Sequence, residues 1–222
     1  SADLVTGEER TRVPGSRFRA STVEVNATSP IVPAAVLDEG QLLADPDRGW
    51  AWTAAVLGLA AHEVHITGAP EMVPAIERLG AHVGDAVAIK HYARKTPLGV
   101  AAKPVALDGL ARGDALIAFS RREVMEWRSV LVARGWRVAL VYGALGPEVR
   151  RGEAARFRDG RADILVATDA VGMGLNLPIR RIVFTSLSKY DGVRERALED
   201  AEIKQIAGRA GRYGFADHGV VA

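Results

Sequence analysis

The 222 residues contain no cysteine. Disulfide scaffolds, cysteine nucleophiles and thiolate metal sites are thereby excluded, and the composition fits a reducing, cytosolic setting. There is no run of about eighteen apolar residues, and the opening SADLVTGEER has neither the basic flank nor the apolar stretch of a signal peptide. The chain therefore reads as neither membrane-spanning nor secreted, with no membrane partner expected. Lysine is scarce, 5 against 24 arginines, a skew that genomic base composition explains as readily as phosphate recognition. Acidic excess is confined to one half. Up to Pro97 there are 9 Lys+Arg against 12 Asp+Glu, and beyond it 20 against 15, for a net charge of +2. With 48% hydrophobic residues the chain can bury a core, and its length suits one large domain or two ordinary ones.

Short apolar, β-branched runs recur at 3–6, 21–25, 34–39, 63–68, 86–92, 114–120, 137–143, 162–168 and 181–186. Most are continuous rather than alternating, as expected of strands buried on both faces. Helical spacing fills 48–61, 70–80, 121–134, 147–158 and 194–212. This alternation predicts an α/β fold with open parallel sheets and right-handed crossovers. Periodicity is weakest over 94–114, which holds two prolines and mixed charge and reads as a connection between two α/β units. The expected division is 1–97, a linker at 98–106, and 107–222. No internal repeat is evident.

In an open α/β sheet, ligands bind beyond the carboxyl ends of the strands. Asp38-Glu39-Gly40-Gln41 follows the apolar AAVL, and two adjacent carboxylates there suit a metal and a water: Asp38 to hold Mg²⁺, through water and substrate phosphates, and Glu39 to orient or deprotonate the water. An acidic loop entry is the plainer alternative for any single D-E pair. Thr67-Gly68, after EVHI, is on its own an ordinary turn. Thr168, followed by the small residues Asp169 to Asn176, offers a hydroxyl and free backbone amides suited to phosphate. In QIAGRAGRYG, a continuous helix would set Gln205, Arg209 and Arg212 on one stripe, with Gly208 and Gly211 leaving room for a ligand or another backbone. Arginines complementing a helix C-terminus explain that stretch equally well.

Other signals are weaker. His62-Glu63-Val64-His65 is one residue short of a zinc helix and is read as no metal site. Trp50 and Trp52, with Leu57 and Leu59, are expected to pack a helix on its sheet, as are Trp127 and Trp136. The charged run 149–158 is expected to be a solvated helix face.

Taken in order, these motifs resemble the later motifs of superfamily two helicases. DLVTGEER, STVEV, DPDRGWAWTAAVLGL, EVHITG, ATDAVGMGLNLPIRRIVFTSLSK and QIAGRAGR are similar to the DExH-type mitochondrial degradosome RNA helicase and its bacterial relatives, along nearly the whole chain. The resemblance implies two RecA-like domains, with ATP at their interface and a nucleic-acid strand across both. It implies Asp38 and Glu39 as the Mg²⁺ and water-activating pair with Gln41 completing D-E-x-Q, Thr67 and Gly68 as coupling residues, and Gln205, Arg209 and Arg212 as groups that meet the γ-phosphate. Gly174 and Asn176 are expected near the ribose. Thr6, Gly7, Thr22, Ser120, Arg121 and Thr168 are expected along the backbone of single-stranded RNA or DNA. An exoribonuclease in a degradation complex is an implied partner, and the bacterial cytoplasm the expected location, or a mitochondrion for a eukaryotic relative.

Two features depart from the pattern. Gly40 stands where relatives carry a larger apolar residue, which is expected to loosen the turn. No G-x-x-x-x-G-K-[ST] occurs, so the β- and γ-phosphate cradle is missing and the chain is expected to be a fragment, inactive alone, of a longer ATP-dependent helicase. It ends at HGVVA, where a last strand is expected. The alternatives are a single-strand-binding module without catalysis and a structural role; the latter makes the acid pair, the Thr168 turn and the arginines coincidental.

Overall fold

The structure, a computed structural model, describes residues 2–7, 9–25, 30–172, 176–211 and 217–222. Two units separate at Ser1–Tyr92 and Ala93–Ala222. In the first, β1 (Asp3–Val5) lies between β2 (Arg10–Thr11), antiparallel to it, and β3 (Arg19–Ser21), parallel to it. β4 (Val32–Leu37) and β5 (Ala61–Ile66) pair in parallel, with Leu37 opposite Ile66, so their carboxyl ends are level. Between them runs α1 (Gly49–Gly58), whose Ala51, Trp52 and Ala55 bury against Leu37, Leu42 and Ile66. α2 (Val73–Val83) follows β5, with a 3₁₀ turn at Pro70–Met72, and ends at Gly84 in the left-handed region (φ 81°). Outside the Leu37–Ile66 contact the β4–β5 pair is open, and Val32, Val36 and Val64 are exposed. Burial on both faces, expected from the continuous apolar runs, is thus not found here, because α1 packs only on the strand ends.

That expectation holds in the second unit. There β6 (Leu98–Val100), β7 (Asp114–Ile117), β8 (Val138–Val141), β9 (Ile164–Ala167), β10 (Arg181–Phe184) and β13 (Gly219–Val221) form a parallel sheet in the order β6-β13-β10-β7-β9-β8. Every residue of β7 and β9 is buried. Strand side chains alternate between faces. Ala115, Ile117, Leu165, Ala167 and Ile182 meet Phe157 of α4 (Pro147–Arg158) and Ile206 of α5 (Asp200–Ala207), whereas Leu116, Ala118, Ile164, Val166 and Val183 meet Val124 and Leu131 of α3 (Arg121–Ala133). Helices therefore cover both faces. An antiparallel hairpin, β11 (Ser188–Tyr190) and β12 (Glu195–Ala197), precedes α5.

Several expectations need correction. Residues 98–106 are no linker: Leu98–Val100 is the edge strand beside β13, Ala101 N–H donates to Val221 O at 2.7 Å, and the division falls at Tyr92. The strand expected at 86–92 does not form, since these residues pair with no strand of any sheet among the described residues. The helical pattern of 194–212 holds only from Asp200 to Ala207, its first part being β12. Trp50 is 64% exposed, while Trp52 is buried and Trp127 and Trp136 pack on the α3 side of the core. Among the described residues, no helix is long and apolar enough to cross a membrane.

Candidate functional site

The level ends of β4 and β5 bring Asp38-Glu39-Gly40-Gln41 and Thr67-Gly68 together. Gly40 N–H donates to Thr67 O at 2.8 Å, and Thr67 N–H to Leu37 O at 2.9 Å, so the two turns are stitched through backbone. The Thr67 hydroxyl donates to Asp38 Oδ1 at 2.5 Å, and Glu39 N–H reaches the same oxygen at 2.9 Å. Both leave Asp38 oriented yet exposed, with no ion pair among the described residues. Such an oxygen donor suits a hard cation, which keeps most of its water.

Glu39 adopts φ 58°, ψ 41°, the one left-handed non-glycine residue among those described. That conformation costs roughly 1 kcal/mol and persists only where surroundings over-determine it. Gln41 supplies part of that determination. Its Oε1 accepts Ala69 N–H at 3.1 Å, which fixes the amide so that Nε2 donates to Glu39 Oε2 at 2.6 Å. The buried Trp52 adds another tie, its Nε1 donating to Asp38 O at 3.0 Å. Gly40 does not loosen this turn. A Cβ there would lie 2.6 Å from Met72 Sδ and 2.7 Å from Ile66 Cγ2, so the glycine permits close packing. Gly68 is similarly constrained, with Gln41 Oε1 2.6 Å from the position of its absent Cβ.

Also in the first unit, Thr6 closes a tight turn: its Oγ1 accepts Glu9 N–H at 2.8 Å and donates to Glu9 O at 3.3 Å. Gly7 is exposed beside it, and Thr22 N–H donates to Val5 O at 3.2 Å, which places Thr22 next to the end of β1.

In the second unit the neighbouring strands β7 and β9 end near Ser120, Arg121 and Thr168. Ser120 Oγ accepts Glu123 N–H at 3.1 Å in a capping box, and Glu123 Oε2 accepts Phe119 and Ser120 N–H in return, so helix capping accounts for this serine by itself. Arg121 is exposed, its guanidinium 5.8 Å from the Tyr142 ring centroid. Thr168 is 9% exposed at the end of β9, and Asn176 is exposed. Gly174 and Arg212 lie outside the described residues.

The arginine stretch departs from a continuous helix. α5 stops at Ala207, and Arg209, 9% exposed, sits in the following turn, where its N–H donates to Ile206 O at 3.0 Å. Gln205 remains in the last helical turn, so the predicted stripe is broken after it. Of the two visitors for which the glycines leave room, a backbone is the one found. Gly211 (φ 60°) has no space for a Cβ against Gly219, and its N–H donates to Ile179 O at 2.8 Å. Three carbonyls of this turn converge on one side chain that sequence reasoning missed: Arg94 donates to Gly208 O at 3.0 Å, to Ala210 O, and to Gly211 O at 3.4 Å, while its Nε holds Thr96 O at 2.7 Å. No local signal marks Arg94, because the three carbonyls of this turn lie more than a hundred residues away from it.

A charge network ties the turn after Thr168 to α5. Lys189 Nζ lies 3.5 Å from Asp169 and 2.5 Å from Glu202, which also receives two Arg196 hydrogen bonds at 2.8 and 2.9 Å. The Arg196 guanidinium, with Lys189, holds the Glu202 carboxyl down to about 2. Glu199 and Glu202 form a capping box at the start of α5, a spacing readable in sequence as E-x-x-E, though not its cationic partners.

Comparison with known proteins places both units in known families. The DEXQ-box helicase domain of Suv3 matches residues 1–92, and the helicase conserved C-terminal domain matches 102–214. The mitochondrial DExH-box ATP-dependent RNA helicase DExH18 of Arabidopsis thaliana is 46% identical over 95% of this chain and 28% of its own length. The mitochondrial ATP-dependent RNA helicase SUV3 of Saccharomyces cerevisiae is 40% identical over 95% of this chain and 30% of its own. The chain thus spans about three tenths of these relatives. Among solved structures, S. cerevisiae Dbp5 bound to RNA and ADP BeF3 superposes with a TM-score of 0.69 at 17% identity, over 99% of this chain and 63% of that one, a likeness of fold. The two units are accordingly RecA-like. The expected bacterial cytoplasmic location is corrected by these relatives, which are named as mitochondrial; absence of cysteine indicates a reducing setting at most and does not distinguish compartments. With a Suv3-type DEXQ-box match on its first unit and a helicase conserved C-terminal domain across more than half its length, the chain belongs to the superfamily two helicases, in the group that resembles SUV3.

Proposed function

We propose that this chain is the ATP-hydrolysing and strand-gripping part of an RNA helicase. The observation that carries the reading is the junction at the ends of β4 and β5, where Glu39 is held left-handed by Gln41 and Asp38 is oriented by Thr67. Two oriented carboxylates at strand ends suit hydrolysis of a phosphoanhydride, one for a metal ion and one for the attacking water. Asp38, exposed and without an ion pair among the described residues, suits Mg²⁺ bound through water. When bound, the ion supplies charge neutralisation on the phosphate oxygens. Glu39 orients the attacking water and accepts its proton, and Gln41 keeps that carboxylate in place.

Gln205, Arg209 and Arg212 of the second unit serve the γ-phosphate, the two arginines opposing the negative charge that develops on it and Gln205 offering its amide as a hydrogen-bond donor. Gly174 and Asn176 serve the ribose, and Thr67 with Gly68 transmits the nucleotide state, since Thr67 touches both Asp38 and the backbone of Gly40. Thr6, Gly7, Thr22, Ser120, Arg121 and Thr168 contact the backbone of single-stranded RNA, which positions the strand without reading its sequence. The relatives are named ATP-dependent RNA helicases, and both ligands suit these residues. An exoribonuclease that degrades the released strand is the fitting partner for the full-length protein.

The test is RNA-stimulated ATP hydrolysis by the full-length protein that carries this chain. Glu39→Gln is expected to lower turnover by at least about a hundredfold with RNA binding retained. Wild-type turnover in that variant would remove the assignment.

A further inference from the structure

The turn that carries Arg209 is held by a residue far from it in the chain. The carbonyls at the end of α5 are already served by backbone: Lys204 O accepts Gly208 N–H at 2.9 Å, Ile206 O accepts Arg209 N–H at 3.0 Å, and Ala207 O accepts Ala210 N–H at 3.0 Å. Arg94 therefore does not cap the helix. Its Nη1 donates to Gly208 O at 3.0 Å, and its Nη2 to Ala210 O and, at 3.4 Å, to Gly211 O. Gly208 and Ala210 flank Arg209, so one guanidinium grips the main chain on both sides of that residue. The fork is itself aimed, because Nε donates to the carbonyl of the buried Thr96 at 2.7 Å. Behind the turn stands β13: a Cβ on Gly219 would lie 2.6 Å from Ala210 O, and one on Gly211 2.3 Å from Gly219 N. Backbone on one side and Arg94 on the other leave the turn a single arrangement.

We propose that Arg94 is a positioning residue for ATP hydrolysis, fixing the backbone of Arg209 so that its guanidinium meets the γ-phosphate already oriented. This rests on the reading that assigns Arg209 to the γ-phosphate. Arg94 acts through Arg209, since its Nε and both Nη atoms are engaged with carbonyls. A charge that must be ordered anew at each turnover stabilises the transition state less than one held in place. Arginine suits this task because its planar fork reaches carbonyls on both sides of a residue at once, whereas a lysine ammonium is a single point charge. Arg94 also stands two residues past Tyr92, where the first unit ends, so the connecting chain is tied to the arginine turn as it enters the second unit.

The experiment is RNA-stimulated ATP hydrolysis by the full-length protein that carries this chain, with kcat and the KM for ATP measured below the melting temperature of each variant. Arg94→Ala is expected to lower kcat by about tenfold or more and to leave KM within about twofold, the mark of an interaction lost in the transition state. The double variant Arg94→Ala/Arg209→Ala is expected to be within about twofold of Arg209→Ala, because one residue acts through the other. Arg94→Lys keeps the charge without the fork and is expected to stay at least about threefold below wild type. A purely structural Arg94 would lower the melting temperature and leave kcat of the folded protein unchanged; that result, with Arg209→Ala slowed, overturns the positioning role and leaves the helicase reading standing. A double variant whose loss is the product of the two single losses overturns it as well, by giving Arg94 a separate task. Wild-type turnover in Arg209→Ala removes the assignment of Arg209 and the role of Arg94 with it. If Arg94→Ala does not fold, Arg94→Lys decides, and wild-type kcat in that variant overturns the proposal.

Discussion

Carboxylates occur at both ends of the parallel strands, and the two ends treat them differently. At the amino ends of the second unit's strands, Asp163 is 8% exposed and held by Arg137 at 2.7 Å and Arg112 at 2.5 Å, and Asp114 is 2% exposed against Arg181. At the carboxyl ends of β4 and β5, Asp38 is exposed and oriented by a hydroxyl and an amide, with no cation paired to it among the described residues. Buried, arginine-paired carboxylates hold a fold together. A carboxylate fixed only by neutral donors stays open to a cation or a water. The difference separates paired, buried charge from open, oriented charge.

Breaking the buried end should produce the largest loss of stability. Asp163→Ala leaves Arg112 and Arg137 without their acceptor, and urea unfolding should show a loss of about 2–4 kcal/mol. Asp38→Ala, at the exposed end, should cost under about 1 kcal/mol by the same measurement. Equal losses would erase the distinction. Gly68→Ala comes next: its Cβ would lie 2.7 Å from Met72 Sδ and 2.9 Å from Gly40 N, which predicts a cost of about 1–3 kcal/mol and displacement of Gln41 from Glu39. Arg94→Ala should cost about 1 kcal/mol, with faster amide hydrogen exchange concentrated in the turn at 208–211, where it binds the carbonyls of Gly208, Ala210 and Gly211.

The smallest effect is a pH effect. Glu202 has its carboxyl lowered from 4.5 to about 2 by Arg196 and Lys189, so the folded state favours its charged form. Its contribution is complete above the unfolded value of 4.5 and is lost as pH falls through about 2. Asp163, held further below the usual carboxylate range by Arg137 and Arg112, acts with the same sign. Thermal melting between those pH values should show a shallower acid limb in Glu202→Gln than in the wild type.

Local patterns in the sequence placed several of these turns and strands. The acid pair, the Thr67-Gly68 turn and the strands 114–120 and 162–168 could be read because each is a local pattern, and β7 and β9 are buried throughout as continuous apolar runs should be. The misreadings share a physical cause. β6 is three residues beside Pro97, and its partner β13 lies over a hundred residues downstream, so no local pattern distinguishes it from a connection. The end of α5 at Ala207 depends on Gly211 packing on Gly219 and on Arg94, both contacts made at a distance. Glu39's left-handed backbone is likewise set by Gln41 and Ala69. At Gly40 the residue was noticed and its role misjudged, because the neighbours that exclude a side chain, Met72 and Ile66, come from other elements.

The central claim is that the left-handed glutamate at the end of β4 activates water for ATP hydrolysis. RNA-stimulated ATPase of the full-length protein, measured in parallel for Glu39→Gln and Asp163→Asn at a temperature where both remain folded, tests it most directly. Turnover should vanish in the first and persist in the second; a Glu39→Gln protein that hydrolyses ATP as fast as the wild type would contradict the account.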